Sequence, residues 1–140
     1  MKIGIVGSEA AKFTAETEAL ARVAIRSLLS PGDVVVSGAY HLGGIDIWAA
    51  EEAKKLGLEF VEYPPARRNW EGYKARNILI ARNSDKTVCI TVRELPPSYR
   101  GMKFDLCYHC GTNSHVKSGG CWTVKTAKRL GKPGEVIVLG

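Results

Sequence analysis

The chain alternates between two hydrophobic periods, and that alternation leaves few folds open. "KIGIVG" (Lys2–Gly7) is an apolar run of strand length. Leu20, Val23, Ala24 and Leu28 then fall on one helical face, behind an N-cap at Thr14. "SPGD" ends that helix, and "VVVSG" follows without polar alternation, so both faces of this strand are expected to be covered. Ile45, Trp48, Ala49, Ala53 and Leu56 form a second helical stripe, closed by Gly57. "LEFVEYP" reads as a third strand, Asn69 to about Arg82 as a third helix, and "KTVCITV" as a fourth strand. A helix from about Gly120 to Leu130 and the strand "EVIVLG" complete the pattern. Such alternation implies right-handed crossovers. The expected fold is one Rossmann-like, doubly wound α/β domain over residues 1–140, with a parallel sheet of about five strands and helices on both faces.

Only the segment from about Arg93 to Ser118 fits neither period. So long a loop in so small a domain is either functional or organised by something other than a core.

The 140 residues suit a single domain, and 45% hydrophobic content suffices for a core. No apolar run reaches membrane-spanning length, and "MKIGIVGSEAAKF" has no signal-peptide pattern, so a cytoplasmic protein is expected. The net charge of +6 admits an anionic ligand or a nucleic acid. The basic residues are spread along the chain, however, and a solvated basic surface explains them equally.

Three glycine-bearing turns fall at the carboxyl edge of the expected sheet. "GSEA" (with Gly7 and Ser8) follows the first strand, "SGAYHLGGID" the second, and "SGGCWT" opens the last helix. Ligands of open parallel sheets bind beyond that edge. Glycine lets backbone N–H groups approach an anion, and a helix N-terminus adds a favourable dipole. Each glycine alone is explained by a tight turn; three at one edge point to a phosphate-type ligand. Neither G-x-G-x-x-G nor G-x-x-x-x-G-K-[ST] occurs, which argues against an ordinary NAD dehydrogenase and a P-loop NTPase.

The blocks "VVVSG", "GGID", "ARNILIARNSD" and "SGGCWTVKTAKRLGKP", in this order, resemble the SLOG superfamily, which includes the DNA-processing protein A family and the Lonely-Guy phosphoribohydrolases. The resemblance implies a nucleotide or nucleotide-derived ligand, and a homodimer. It carries ligand roles to Gly38, Gly43, Gly44 and Asp46 in the second turn. It carries them also to Arg76 and Asn77 on the third helix, and to Ser118, Gly119, Gly120 and Thr123 at the last turn. Arg76 suits a forked contact to phosphate. Asp46 either accepts hydrogen bonds from a ribose or caps its helix. Tyr40 and His41 lie in an exposed turn where they can touch ligand.

Two departures bear on activity. Thr126 stands where Lonely-Guy enzymes place a glutamate, and Gly43 stands where the DNA-processing family places an arginine. Both favour ligand binding or sensing over the alternatives, which are an enzyme cleaving the N-glycosidic bond of a nucleotide and a nucleic-acid-binding module.

"CYHCGTNSHVKSGGC" carries C-x2-C-x4-H-x5-C through Cys107, Cys110, His115 and Cys121. Two thiolates two residues apart can share one zinc, and a histidine with a third cysteine completes a tetrahedron. A structural zinc would also order the long loop. His109 is an alternative ligand, and Cys121 is alternatively a core residue of the last helix; a set of reduced thiols without metal is the bland reading. Cys89, inside "TVCITV", is expected to be a buried small hydrophobe, and Trp48 a core residue. Trp70 and Tyr73 fit base stacking, core packing or an interface alike. "RELPPSYRGMK" (Arg93–Lys103) reads as a surface loop.

Overall fold

The computed structural model describes residues 1–140. Five parallel strands form one sheet: β1 (Lys2–Gly7), β2 (Val34–Ser37), β3 (Glu59–Glu62), β4 (Lys86–Val92) and β5 (Gly134–Leu139). Their order is β3-β2-β1-β4-β5, with Ile3 opposite Val35 on one side and Lys86 on the other. The crossovers are α1 (Ala15–Leu28), α2 (Ile45–Lys55), α3 (Trp70–Asn83) and α4 (Gly119–Arg129). The α/β doubly wound fold expected from the periods is therefore observed.

Strand alternation divides the core into two. Ile3, Ile5, Val35, Val88, Ile90 and Val92 point to the layer of α1 and α2, joining Ile25, Ile45, Trp48 and Ala53. Val6, Val36 and Cys89 point to the opposite layer, joining Ile80, Val124, Cys107 and Cys121. The first layer is apolar throughout, and aliphatic except for Phe13 and Trp48. The second includes Cys107 with Cys110 packed against it, so the cysteine loop is anchored in the core through these residues.

Local signals explain most boundaries. Thr14 and Thr17 form a capping box at α1, and Asn69 accepts from the Gly72 N–H at α3. Both α2 and α4 end in Schellman turns, where Gly57 and Gly131 take positive φ. The 6→1 bonds run from Leu58 N–H to Ala53 O and from Lys132 N–H to Ala127 O, each 2.9–3.0 Å.

The stripe expected on α1 is rotated. Ala21 and Ile25 are its buried residues, flanked by Ala24 and Leu28, whereas Leu20 and Val23 are exposed. The face of α1 turned to the core carries Ala21 and Ile25, which leaves Leu20 and Val23 outside. Leu56 is also exposed, because it lies at the C-cap where α2 leaves the sheet. The strand expected in "LEFVEYP" shrinks to Glu59–Glu62, an exposed edge. Residues between β4 and α4 form neither helix nor strand beyond an isolated antiparallel bridge, Cys107 to Thr112. Arg93–Lys103 is largely exposed, but Tyr99 is buried, its hydroxyl 3.2 Å from Met102 O and 3.3 Å from a Glu9 carboxylate oxygen. No helix is long and apolar enough to cross a membrane.

Candidate metal centre and anion pocket

Cys107, Cys110, His115 and Cys121 are positioned to hold a metal ion. Their ligand atoms, three sulfurs and one imidazole nitrogen, lie within 4.8 Å of one another. A tetrahedral zinc with ~2.3 Å bonds to sulfur sets those atoms about 3.8 Å apart, so the donor set needs only a small contraction. Local backbone chemistry builds the arrangement. Cys107 O accepts from the N–H groups of Cys110 (3.2 Å) and Gly111 (2.8 Å), and Gly111 takes φ +68° to close the turn. Cys107 N–H donates to Thr112 O at 2.8 Å, which fastens the base of the loop. His115 Nδ1 lies 3.0 Å from Val116 O, which can only accept. The proton therefore sits on Nδ1, and Nε2 keeps its lone pair for a metal.

The thiols are electrostatically interdependent. Burial pushes the Cys107 thiol up, but backbone N–H groups of Ser118, Cys110 and His109 outweigh it and hold it below the usual thiol range. Burial and the neighbouring Cys121 and Cys107 push Cys110 up to about 12. Cys121 is raised by hydrogen bonding to Cys89 and by burial. Three crowded sulfurs cannot all ionise without a cation among them, and a metal ion supplies that charge. Cys89 is buried as expected, yet it is not inert packing: its Sγ lies 3.9 Å from Cys121 Sγ and 3.6 Å from Ser118 Oγ. His109 stands outside the donor set; its ring packs 5.9 Å from Trp70, centroid to centroid, and its Nε2 is buried without a partner.

A cavity of about 180 Å³ opens at the carboxyl edge, where β1 adjoins β4 and the strand order reverses. Gly7 and Ser8 enter it from the end of β1, and Ser118, Gly119 and Gly120 from the first turn of α4. Tyr40 lines it from the turn after β2, Asp46 from α2, and Tyr73, Arg76 and Asn77 from α3. Gly38, Gly43, Gly44 and Thr123 do not reach the cavity wall. Gly38 is structural: its carbonyl accepts from Arg76 Nη1, and a Cβ there would strike Arg76 and Asp46. Gly44, at φ +85°, is the N-cap of α2 and abuts the Ser8 backbone. Gly43 sits at φ +74° in the same turn, and Thr123 is buried.

Arg76 is nearly buried and organised. Its Nε donates to Asn77 Oδ1 at 2.8 Å, Nη1 to Gly38 O, and Nη1 stands 3.7 Å from Asp46 Oδ2. Nη2 makes no hydrogen bond within the protein. Asp46 is not a cap; it is buried in the cavity wall, and burial pushes its carboxyl up to about 6 despite the Arg76 charge. Ser118 caps α4 by accepting from Gly120 N–H at 3.1 Å, leaving the Gly119 N–H at a helix start without an intrahelical acceptor.

Sequence reasoning did not single out Glu9, Lys12 or Val6, which also line the cavity. The signal for Lys12 was a basic residue one turn beyond the glycine of β1. A short 3₁₀ turn, Ala10–Lys12, swings it back, and its Nζ reaches Lys117 O at 3.1 Å. Burial lowers its pKa, which Glu9 opposes. Trp70 lines the cavity as well and packs against His109 and Trp122.

The chain matches no protein-family model, and comparisons with curated proteins and with solved structures give no match either.

Proposed function

We propose that the protein binds a nucleotide or nucleotide-derived ligand, its phosphate at the first turn of α4, and that a structural zinc holds the adjoining loop. The carrying observation is convergence. One cavity at the strand-order reversal receives the Gly7–Ser8 turn, the N-terminus of α4, and the cations Arg76 and Lys12. Backbone N–H groups, a helix dipole and an organised guanidinium are the means by which proteins hold phosphate. Placement within the SLOG superfamily is part of the same proposal. Four protein donors leave a zinc no open position, which supports a structural over a catalytic metal.

Calorimetric titration with the four nucleoside 5′-monophosphates tests the reading. Arg76→Ala should weaken binding by about 1.5–3 kcal/mol, the worth of a charged hydrogen bond. Because that variant also unpairs Asp46, Lys12→Ala serves as the milder second variant and should weaken binding in the same direction. Full affinity in both variants would remove the pocket.

One observation supports a second reading, cleavage of an N-glycosidic bond. Asp46 is a buried carboxyl with a raised pKa inside the cavity, a property of general acids and bases. Release of free base from a bound nucleotide, abolished in Asp46→Asn, would establish it. Thr126 offers no substitute for a carboxylate; its hydroxyl is spent on Trp122 O at 2.9 Å.

A further inference from the structure

We infer that the metal loop builds an aromatic subsite at the mouth of the cavity, with Trp70 as the face on which a ligand's planar heterocyclic base stacks. The inference rests on the anion-pocket reading above and adds to it the chemical class of the ligand's other end.

Trp70, Tyr73, Arg76 and Asn77 all line the cavity from α3. Their spacing of three, three and one puts them along one helical face. Six residues separate Trp70 from Arg76, about 9 Å along the axis. That is a length a mononucleotide bridges from base to phosphate. The face therefore grades from an indole at its start to a cation near its middle. Tyr73 is already engaged: its ring meets Tyr40 edge-on at 5.5 Å and lies under the Arg76 guanidinium at 5.6 Å. Trp70 is the aromatic with area to spare, 42% exposed although it belongs to the cavity wall.

An exposed indole is a useful platform only if it is held, and the metal loop holds this one. Trp122, next to the metal-site residue Cys121, meets Trp70 edge-on at 5.6 Å and 79°. His109, between Cys107 and Cys110, lies against it at 5.9 Å and 31°. Both supports sit beside metal-site cysteines, so an ion at that site fixes them. This gives the loop between β4 and α4 a role in recognition that neither the sheet nor the glycine turns supply. Base–aromatic stacking tolerates any base, since each has a π-face. The subsite is thus expected to require a base without choosing strongly among bases.

The test compares adenosine 5′-monophosphate with ribose 5-phosphate, which lacks the base, on metal-loaded protein. Wild type should bind the nucleotide about tenfold or more tighter, in line with the worth of one stacked base. Trp70→Ala should erase that difference, and Trp70→Phe should retain most of it. Equal affinity of the two probes in wild type would overturn the subsite while leaving the anion pocket standing. So would an undiminished difference in Trp70→Ala or, if that variant fails to retain metal, a complete loss of the difference in Trp70→Phe. Failure of both probes to bind would overturn the pocket itself and the subsite with it.

Discussion

At the scale of single residues, burial decides what each charge does. Asp46 and Glu52 both lie on α2 and are both buried, yet they titrate in opposite directions. Glu52 is penalised by burial, but hydrogen bonds from Arg26, Lys55 and Arg22 outweigh it and bring its carboxyl down to about 2. Asp46 has Arg76 at 3.7 Å and the Tyr40 backbone N–H against its burial, and remains raised. The stability consequence of Asp46 follows from its sign. Between the unfolded value near ~4 and the folded value, the folded state holds the proton more tightly, so stability falls as pH rises through that window. The penalty is complete above about 6. Asp46→Asn should lack this component. Urea unfolding should show the variant gaining on wild type from pH 4 to pH 7, by up to ~3 kcal/mol. Parallel stabilities across that range would mean that Asp46 stays ionised in the folded state.

At the scale of elements, two junctions hold the helices in place. The first joins α1 to α2 through Glu52, whose oxygens accept from Arg26 Nη1 at 2.6 Å, Arg22 Nη1 at 2.8 Å and Lys55 Nζ at 3.0 Å. Removing the carboxylate leaves Arg26 and Lys55 to solvent and only Arg22 partly buried, so Glu52→Ala should cost about 1–3 kcal/mol in denaturant unfolding. Its contribution is present above the usual glutamate range and is lost as pH falls from ~4.3 through the folded value. The second junction is the start of α4, where Cys121 faces the metal-site donors while Gly119 and Gly120 face the cavity. Cys107→Ser should abolish stoichiometric zinc. Hydrogen exchange should then quicken first in residues 93–118 and the opening turn of α4, with β1 and β4 still protected, since the sheet keeps its apolar layer. Uniform loss of protection would show that the metal is required for the whole fold.

These junctions also mark how far the sequence could be read. The apolar runs and turn residues placed the five strands and four α-helices, and C-x2-C-x4-H-x5-C named the four donors that the fold brings together. The stripe on α1 was misread because Ala21 carries little hydrophobic signal and Leu20 carries much, although packing selects the smaller side chain. Lys12 was missed because a single 3₁₀ turn reverses the chain, and no period records it. The sequence shows Trp70 on α3 but not that His109 and Trp122 pack against it. Contacts between segments far apart in sequence leave no trace in local spacing.

At the scale of the whole molecule, the two edges of the sheet differ. The amino edge also carries a depression, formed by Met1, Lys2, Val34, Arg82, Asn83, Ser84, Asp85 and Lys132, and it too is basic. It lacks a helix N-terminus among these residues, and Lys132 Nζ is occupied by Arg82 O at 2.6 Å and Ala81 O at 3.2 Å. Charge alone would not distinguish the edges; the proposed function rests on the convergence of backbone donors at the carboxyl edge. The central claim is that phosphate sits at the carboxyl edge, and amide chemical shifts recorded while adenosine 5′-monophosphate is added to metal-loaded, isotope-labelled protein test it most directly. The account predicts that the largest saturable changes fall on Gly7, Ser8, Gly119 and Gly120. Saturable changes centred instead on Lys2, Arg82 and Lys132, or no saturable change anywhere, would contradict it.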